Sequence, residues 1–472
     1  MKYSYLSLCL VLWFGRSADS QETIKPGPAS PNVLLIVSDD QRPDTIASLG
    51  NRHIRTPHLD RLARRGSVFN RAVCAYPICT PSRAELLSGC TAFRNGVTNF
   101  GRKLDTSLVL WPQAMQQAGY RNIYSGKWHN DGTPTTRGYK MTRGLFTGGG
   151  RKHWTPAVDY RGQTVTGYVG WIFRDEDGKM LPSMGVGLTA DTSRHIADAA
   201  IASLEQQGNQ PFFLHVNFTA PHDPLVLPTD ARHYYKPSSL PLPPNFATEH
   251  PFEHGNLRGR DETLLPFPRT PALVLADLAA YYGVISDLDA QIGRILQSLD
   301  RLKLTESTLV VFTSDHGLAV GSHGLRGKQS MYEHTIGVPM IFAGPGIPRN
   351  QSFQQQVYLR DLYPTVCELC QVPLPHDLDG RSFAPVFANP AAKTYPYTVG
   401  YFREFQRMIR TDRWKLIEYP QLSKHQLFDL RADPFERHDL SEHPDHAVTR
   451  TKLEAQLRSW QRIHKDPLIT EG

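Results

Sequence analysis

Cys79 opens the stretch Cys79-Thr80-Pro81-Ser82-Arg83, which runs on into Leu86-Leu87-Ser88-Gly89. A lone cysteine before proline is ordinarily a small buried hydrophobe. Here it comes with Arg83, whose guanidinium makes forked, directional hydrogen bonds that a lysine cannot. Asp39 and Asp40 are adjacent carboxylates directly after an apolar run. Two like charges held together call for a compensating cation. With Asp315 as a third carboxylate, the set is a hard oxygen cage that suits Ca²⁺ and, less well, Mg²⁺. Without Asp315, the Asp-Asp pair reads as a turn or a helix cap. His316 is a softer ligand than Ca²⁺ prefers. Gly126-Lys127-Trp128-His129 carries a cation and a titratable base two residues apart, and His222 and Lys328 lie in Ala220-Pro221-His222 and Gly327-Lys328. Taken singly, Lys328 reads as a solvated surface charge and His222 as a loop histidine.

The elements that must gather these residues are legible as patterns. Asn32 to Ser38 is a continuous apolar, β-branched run, the pattern of a strand buried on both faces. A helix follows Thr56-Pro57, with Leu59, Leu62 and Ala63 on one face and Gly66 ending it. Trp111–Ala118, Ala190–Gln207 and Ala272–Arg301 read as helices; Arg121–Ser125, Phe212–Phe218, Leu309–Thr313 and Val338–Ala343 read as strands. This alternation predicts an α/β fold, a mostly parallel sheet sandwiched by helices. Asp39-Asp40, Ala220-Pro221-His222 and Asp315-His316-Gly317 each follow a predicted strand, and ligands bind beyond the carboxyl ends of such strands. The proline- and histidine-rich segment from the 220s to Pro271 has no period and reads as a long surface excursion, which in a compact domain signals function. Beyond about Pro390 four short strands and a helix from Ala447 to His464 predict a small C-terminal antiparallel sheet plus helix. The expected division is 1–20, 31–390 and 391–472.

These motifs together resemble type I sulfatases of the alkaline-phosphatase-like superfamily, from about Pro31 to the C-terminus. Asn32 to Asp40 is similar to the metal-binding opening, Cys79 to Gly89 to the first signature and Gly119 to His129 to the second. Ser88 and Asn122 depart from the usual residues at their positions. The resemblance implies that a formylglycine-generating enzyme oxidises Cys79 to formylglycine (3-oxoalanine). The hydrate supplies a geminal diol, one hydroxyl to attack sulfur and the other to collapse and expel sulfate. It implies one Ca²⁺ held by Asp39, Asp40, Asp315, His316 and the modified Cys79. Arg83 would hold the hydrate, Lys127, His222 and Lys328 would bind sulfate oxygens, and His129 would help remove the second diol proton. Another hydrolase of the superfamily, acting on phosphate or phosphonate esters, and a non-catalytic glycan-binding relic remain as alternatives.

Composition narrows the setting. The 472 residues are 40% hydrophobic and 21% charged, which excludes long disorder. Lys2, the apolar stretch Leu6–Phe14 and Ala18-Asp19-Ser20 read as a secretory signal cut before Gln21. The expectation is therefore a periplasmic or secreted protein with no membrane span. Losing Lys2, Arg16 and Asp19 takes the formal charge from +7 to +6. A modest positive balance fits an anionic substrate, a sulfated small molecule or glycan. There is no dense Lys/Arg run of the nucleic-acid type. Sugar contacts are sought in Arg137–His153, His250–Arg260 and around Arg403. A Cys74–Cys90 bridge is conceivable in an oxidising compartment. Cys367 and Cys370 read as buried thiols rather than half of a zinc site.

Overall fold

The computed structural model describes residues 30–469 apart from 207, 209 and 376. The expected signal peptide, residues 1–20, lies outside the described residues. The large sheet contains β1 (Asn32–Ser38), β2 (Ser67–Val73), β3 (Arg121–Lys127), β4 (Met141–Thr147), β5 (Ile172–Arg174), β6 (Phe212–Asn217), β7 (Thr308–Ser314), β8 (Met340–Ala343) and β9 (Gln351–Tyr358). Its order is β5-β4-β3-β6-β1-β7-β8-β2-β9.

The central β1 alternates between two cores. Val33, Leu35 and Val37 pack with Trp111, Ala114 and Met115 of the helix Trp111–Gln117. Leu34 and Ile36 pack on the other face with Leu59 and Leu62 of the helix Pro57–Arg65, Ile196 and Ala200 of Thr192–Glu205, and Leu288 and Ile292 of Pro271–Arg301. Burial on both faces is why the run is apolar without alternation; each such side chain contributes roughly 1.5–3 kcal/mol. Helix Pro271–Arg301 is long and apolar enough to cross a membrane by length and composition, and 61% of its most apolar window is buried inside the fold.

Direction places the site. β4, β3, β6, β1 and β7 run parallel, so β1, β3, β6 and β7 end along one edge. β8, the predicted strand near Val338, is antiparallel to β7, and β2 is antiparallel to β8. Two reversals return β2 to the direction of β1, and the chain leaves that same edge towards Cys79.

The second sheet, β10 (Thr398–Phe402), β11 (Gln406–Arg410), β12 (Trp414–Tyr419) and β13 (Lys424–Asp429), is an antiparallel meander. Leu453, Leu457 and Trp460 of the helix Ala447–Ile463 pack on it, in one core with Val73, Tyr76 and Tyr358 of the larger sheet's surroundings. Cys74 and Cys90 are unpaired thiols, as are Cys367 and Cys370, and all four are buried. Cys74 Sγ instead donates to the Tyr76 carbonyl at 3.1 Å.

The segment 220–271 is the irregular, largely surface-lying excursion expected, anchored inward at several points. Leu225, Leu240 and Leu265 are buried, and the Arg269–Glu262 ion pair at 2.8 Å is fully enclosed. Glu262 also accepts from the Arg326 and Gly327 amides at 2.8 Å each, pinning the loop against the turn that carries Lys328. Its inward contacts are scattered, apolar at these three leucines and polar at Glu262 and Arg269, so no apolar period announces them.

The same region encloses neutral histidines. His250 bonds the Phe252 carbonyl and Tyr332, and His323 stacks on Tyr332 at 3.9 Å between ring centres. Burial lowers His250 from 6.5 to about 4, and burial together with the neighbouring His250 lowers His254 and His323 to about 3. Their folded-state values are depressed, so this stability is present above the unfolded value of 6.5 and is lost as pH falls towards 4. Each histidine costs about 1.4 kcal/mol per pH unit in that window. Imidazole NMR shifts should therefore show these three rings still neutral at pH 5.5; rings that gain their protons near 6.5 contradict the neutral cluster.

Candidate active site

Cys79 is the first residue of a ten-residue helix, Cys79–Ser88, that is buried all round. A helix N-terminus favours a thiolate over a thiol. The turn is pinned from the strand edge: Ser82 Oγ donates to the Asp315 carbonyl at 2.6 Å, and Thr80 Oγ1 to the His129 carbonyl at 2.9 Å. Glu85 one turn on pairs with Arg360 at 3.0 Å and accepts from Tyr401, fastening the helix to the second sheet.

Asp39 and Asp40 leave the end of β1, Asp315 and His316 the end of β7, and Asn217 closes β6. Ser38 is in register with Ser314, and Val37 with Asn217. The carboxylates of Asp39, Asp40 and Asp315 bring oxygens within 4.8 Å of one another, and all three residues are 0% exposed. Asp40 turns inward through a left-handed backbone, φ 68°, rare for a residue other than glycine and a form of strain concentrated at functional sites. Its amide donates to Asp315 Oδ1 at 3.1 Å and its carbonyl accepts from Tyr281 at 2.6 Å, which holds that conformation.

Cations surround this cluster. Arg83 reaches Asp39 Oδ1 at 3.2 Å and Asp315 Oδ2 at 3.0 Å, and donates to Asn217 Oδ1. Lys127 Nζ lies 2.5 Å from Asp39 Oδ2. Lys328 Nζ donates to both oxygens of Asp40 at 2.9 Å and lies 3.6 Å from Cys79 Sγ. Against the cost of burial, Lys127 and then Arg83 hold Asp39 well below the usual carboxylate range. Burial raises Asp40 and takes Asp315 up to about 7. Against burial, Asp315 and Asp40 raise His316 to about 9, and Asp40 raises His222 to about 9. Cys79 is lowered well below a free thiol, because Lys127, Lys328 and His316 outweigh its burial. Burial and the charge of Lys127 lower His129 to about 4.

The residues fit a hard divalent cation. Burial pushes two of the carboxylates, Asp40 and Asp315, towards protonation, which a cation among them would offset, and His316 Nε2 is a buried nitrogen without a hydrogen-bond partner among the described residues. Oxygen donors in this number suit Ca²⁺ rather than a thiophilic metal.

Cys79, His129, His222 and Lys328 line a cavity of about 350 Å³ together with Tyr168, Trp171, Arg260 and Arg403. Two expected sulfate-facing or hydrate-facing cations, Lys127 and Arg83, are not on its wall; they stand behind the carboxylates. Sequence reasoning missed four contributors. Tyr168 donates to Asp39 Oδ2, Asn217 anchors Arg83, and Phe100 and Trp171 flank the His129 ring at 5.6 and 5.1 Å. Tyr168, Trp171 and Phe100 sit on irregular loops with no pattern to mark them. Asn217 carried a signal, as the polar end of an apolar strand. Of the expected sugar-contacting regions, Asn256, Arg260 and Arg403 reach the cavity; Arg137 pairs with Asp131 instead.

A model of the Sulfatase family matches residues 31–372. The chain belongs to the sulfatase family. It is a sulfuric ester hydrolase, and the C-terminal part of the sulfatase, residues 321–463, also matches the family described as N-sulphoglucosamine sulphohydrolase, C-terminal. The sulfatase is similar to an ulvan-active sulfatase of Formosa agariphila, 28% identical over 451 residues that span 91% of this chain and 81% of the relative. Its fold is shared with a protein solved in complex with its substrate D-glucosamine-2-N,6-O-disulfate (TM-score 0.77, 23% identity, 93% of this chain and 98% of that one). The fold is shared equally with the phosphonate monoester hydrolase of Agrobacterium radiobacter (TM-score 0.77, 23% identity, 92% and 96%).

Proposed function

We propose that this sulfatase is an exported enzyme that removes sulfate from a sulfated carbohydrate, using formylglycine made from Cys79 and one Ca²⁺. The observation that carries the reading is the position of Cys79. It lies on the cavity wall at a helix N-terminus, between the carboxylate cluster and Lys328. The relatives support the substrate class, since one is named for ulvan and another was solved with a glucosamine disulfate.

Asp39, Asp40, Asp315 and His316 would hold the Ca²⁺, which when bound supplies a Lewis acid for the nucleophile and a sulfate oxygen. Once oxidised and hydrated, residue 79 supplies the attacking hydroxyl. Arg83 keeps Asp39, Asp315 and Asn217 in one arrangement, so the cage is pre-organised. Lys328 Nζ, on the cavity wall and 3.6 Å from Cys79 Sγ, is the cation within reach of the transferring group, where fixed charge is most effective. His222 and Lys328 supply the N–H groups from which a departing alcohol oxygen takes its proton. His129, kept neutral by burial and boxed by Phe100 and Trp171, is the base for the second hydroxyl. Lys127 neutralises Asp39 from behind.

A sulfate monoester carries one negative charge at neutral pH, against close to two for a phosphate monoester. With Arg83 and Lys127 paired to Asp39 and Asp315, Lys328 and one divalent ion are left to face the ester, which suits the smaller charge without a second metal. The test compares matched aryl sulfate, aryl phosphate and aryl phosphonate esters on the mature enzyme. Sulfate should give the highest kcat/KM. A preference of about tenfold or more for phosphate or phosphonate overturns the assignment in favour of the chemistry of the phosphonate hydrolase neighbour.

A further inference from the structure

Next to the catalytic cavity lies another of the same size, about 350 Å³, within the usual range for ligand sites. The two are built from the same two pieces of chain. In the turn between β10 and β11, Arg403 lines the catalytic cavity and Phe405, two residues on, lines its neighbour. In the loop 253–260, Arg260 lines the first, Arg258 the second, and Asn256 both. Asn256 is therefore the partition, and its Nδ2 donates to Gln329 Oε1 at 2.7 Å on the catalytic side.

We propose that this second cavity is a saccharide subsite that receives the sugar next to the one losing its sulfate. The inference rests on the carbohydrate reading above. Three features give the cavity that character. Phe405 is half-buried and held rigidly, because the Gly255 backbone (φ 99°) lies so close that a Cβ there would sit 2.3 Å from the ring. A fixed aromatic wall, here extended by Tyr419 and Leu422, suits the C–H face of a pyranose. His254 lines the cavity, is 2% exposed, and its Nδ1 is held by the Gln406 amide nitrogen at 3.2 Å, so this part of the wall is fixed. Arg258, exposed at the rim, adds a cation for a sulfate or carboxylate on that second sugar.

The subsite makes chain length a determinant of turnover. The probes are size-fractionated ulvan and heparin oligosaccharides from mono- to tetrasaccharide, assayed by sulfate release. On the wild-type enzyme the better series should gain about tenfold or more in kcat/KM from mono- to disaccharide, chiefly through KM. Phe405→Ala should erase most of that gain, as truncating an aromatic anchor does. Arg258→Ala, at an exposed position that cannot threaten folding, should erase part of it for anionic oligosaccharides. Calorimetric binding of the same probes to Cys79→Ala protein, with and without Phe405→Ala, reads the subsite without turnover. Equal kcat/KM for mono- and disaccharide in both series overturns the proposal. So does binding that Phe405→Ala and Arg258→Ala leave within about twofold, or no binding at millimolar probe. If the enzyme prefers phosphate esters, the reaction assignment falls, while the binding arm still decides the subsite.

Discussion

Replacing Cys79 by alanine should abolish sulfate-ester turnover, by at least about 10⁴-fold, while the protein still folds. Cys79 is buried and its side chain is small, so its loss leaves a cavity of one sulfur atom in a helix held by Ser82, Thr80 and Glu85. The missing group is instead the one at which the carboxylate cluster and Lys328 converge. The companion measurement is the intact mass of the peptide spanning Cys79. Active protein should carry it about 18 Da below the thiol form, the change from CH₂SH to CHO. Full activity in protein whose Cys79 is entirely thiol, or in Cys79→Ala, rules out formylglycine as the nucleophile.

The second large effect is expected at Asp40. Asp40→Ala should lose bound calcium and activity together, activity by about 10³-fold or more. It also leaves the Lys328 ammonium buried with only Asp261, 3.9 Å away, to answer it, which costs up to roughly 3–5 kcal/mol. Asp40→Asn retains the shape and one oxygen, and separates the two consequences: it should melt closer to wild type yet still fail to retain calcium. Elemental analysis of purified protein should find one calcium per chain, removed by a chelator and restored by Ca²⁺ more effectively than by Zn²⁺. Two zinc ions per active chain would point to phosphatase-type chemistry. Activity that survives complete removal of metal would separate the carboxylate cluster from the reaction altogether.

Much of this was written in the order of residues. The apolar run ending in Asp39-Asp40 and the strand ending before Asp315-His316 lie in local patterns that short-range physics dictates, while the Cys79 to Arg83 string was legible through its resemblance to the sulfatase signature. A strand buried on both faces must be apolar throughout, and the first polar residues after it must lie at its end. The predicted elements from Asn32 to Ser38 and from Ala272 to Arg301 agree with the structure to within a residue, because continuous burial leaves an unambiguous pattern. The strands of the small C-terminal sheet were legible for the same reason, and its helix from the apolar stripe Leu453, Leu457 and Trp460.

Other features depend on pairing between distant segments, which no local period encodes. That β8 runs antiparallel, and so returns β2 and Cys79 to the edge shared by Asp39 and Asp315, is a property of the sheet order. Only the folded arrangement puts Lys127 and Arg83 behind the carboxylates and Lys328 in front of them. The sequence carries the charges but not their sides. The inward packing of 220–271 was hidden because its anchors, the buried Leu225, Leu240 and Leu265 and the Glu262–Arg269 pair, are spaced without a period. Residue types and their local order determined which chemistry this chain can perform. Long-range strand pairing and buried polar contacts decided where each group stands, since hydrogen bonds and ion pairs take their partners by geometry and not by position in the chain.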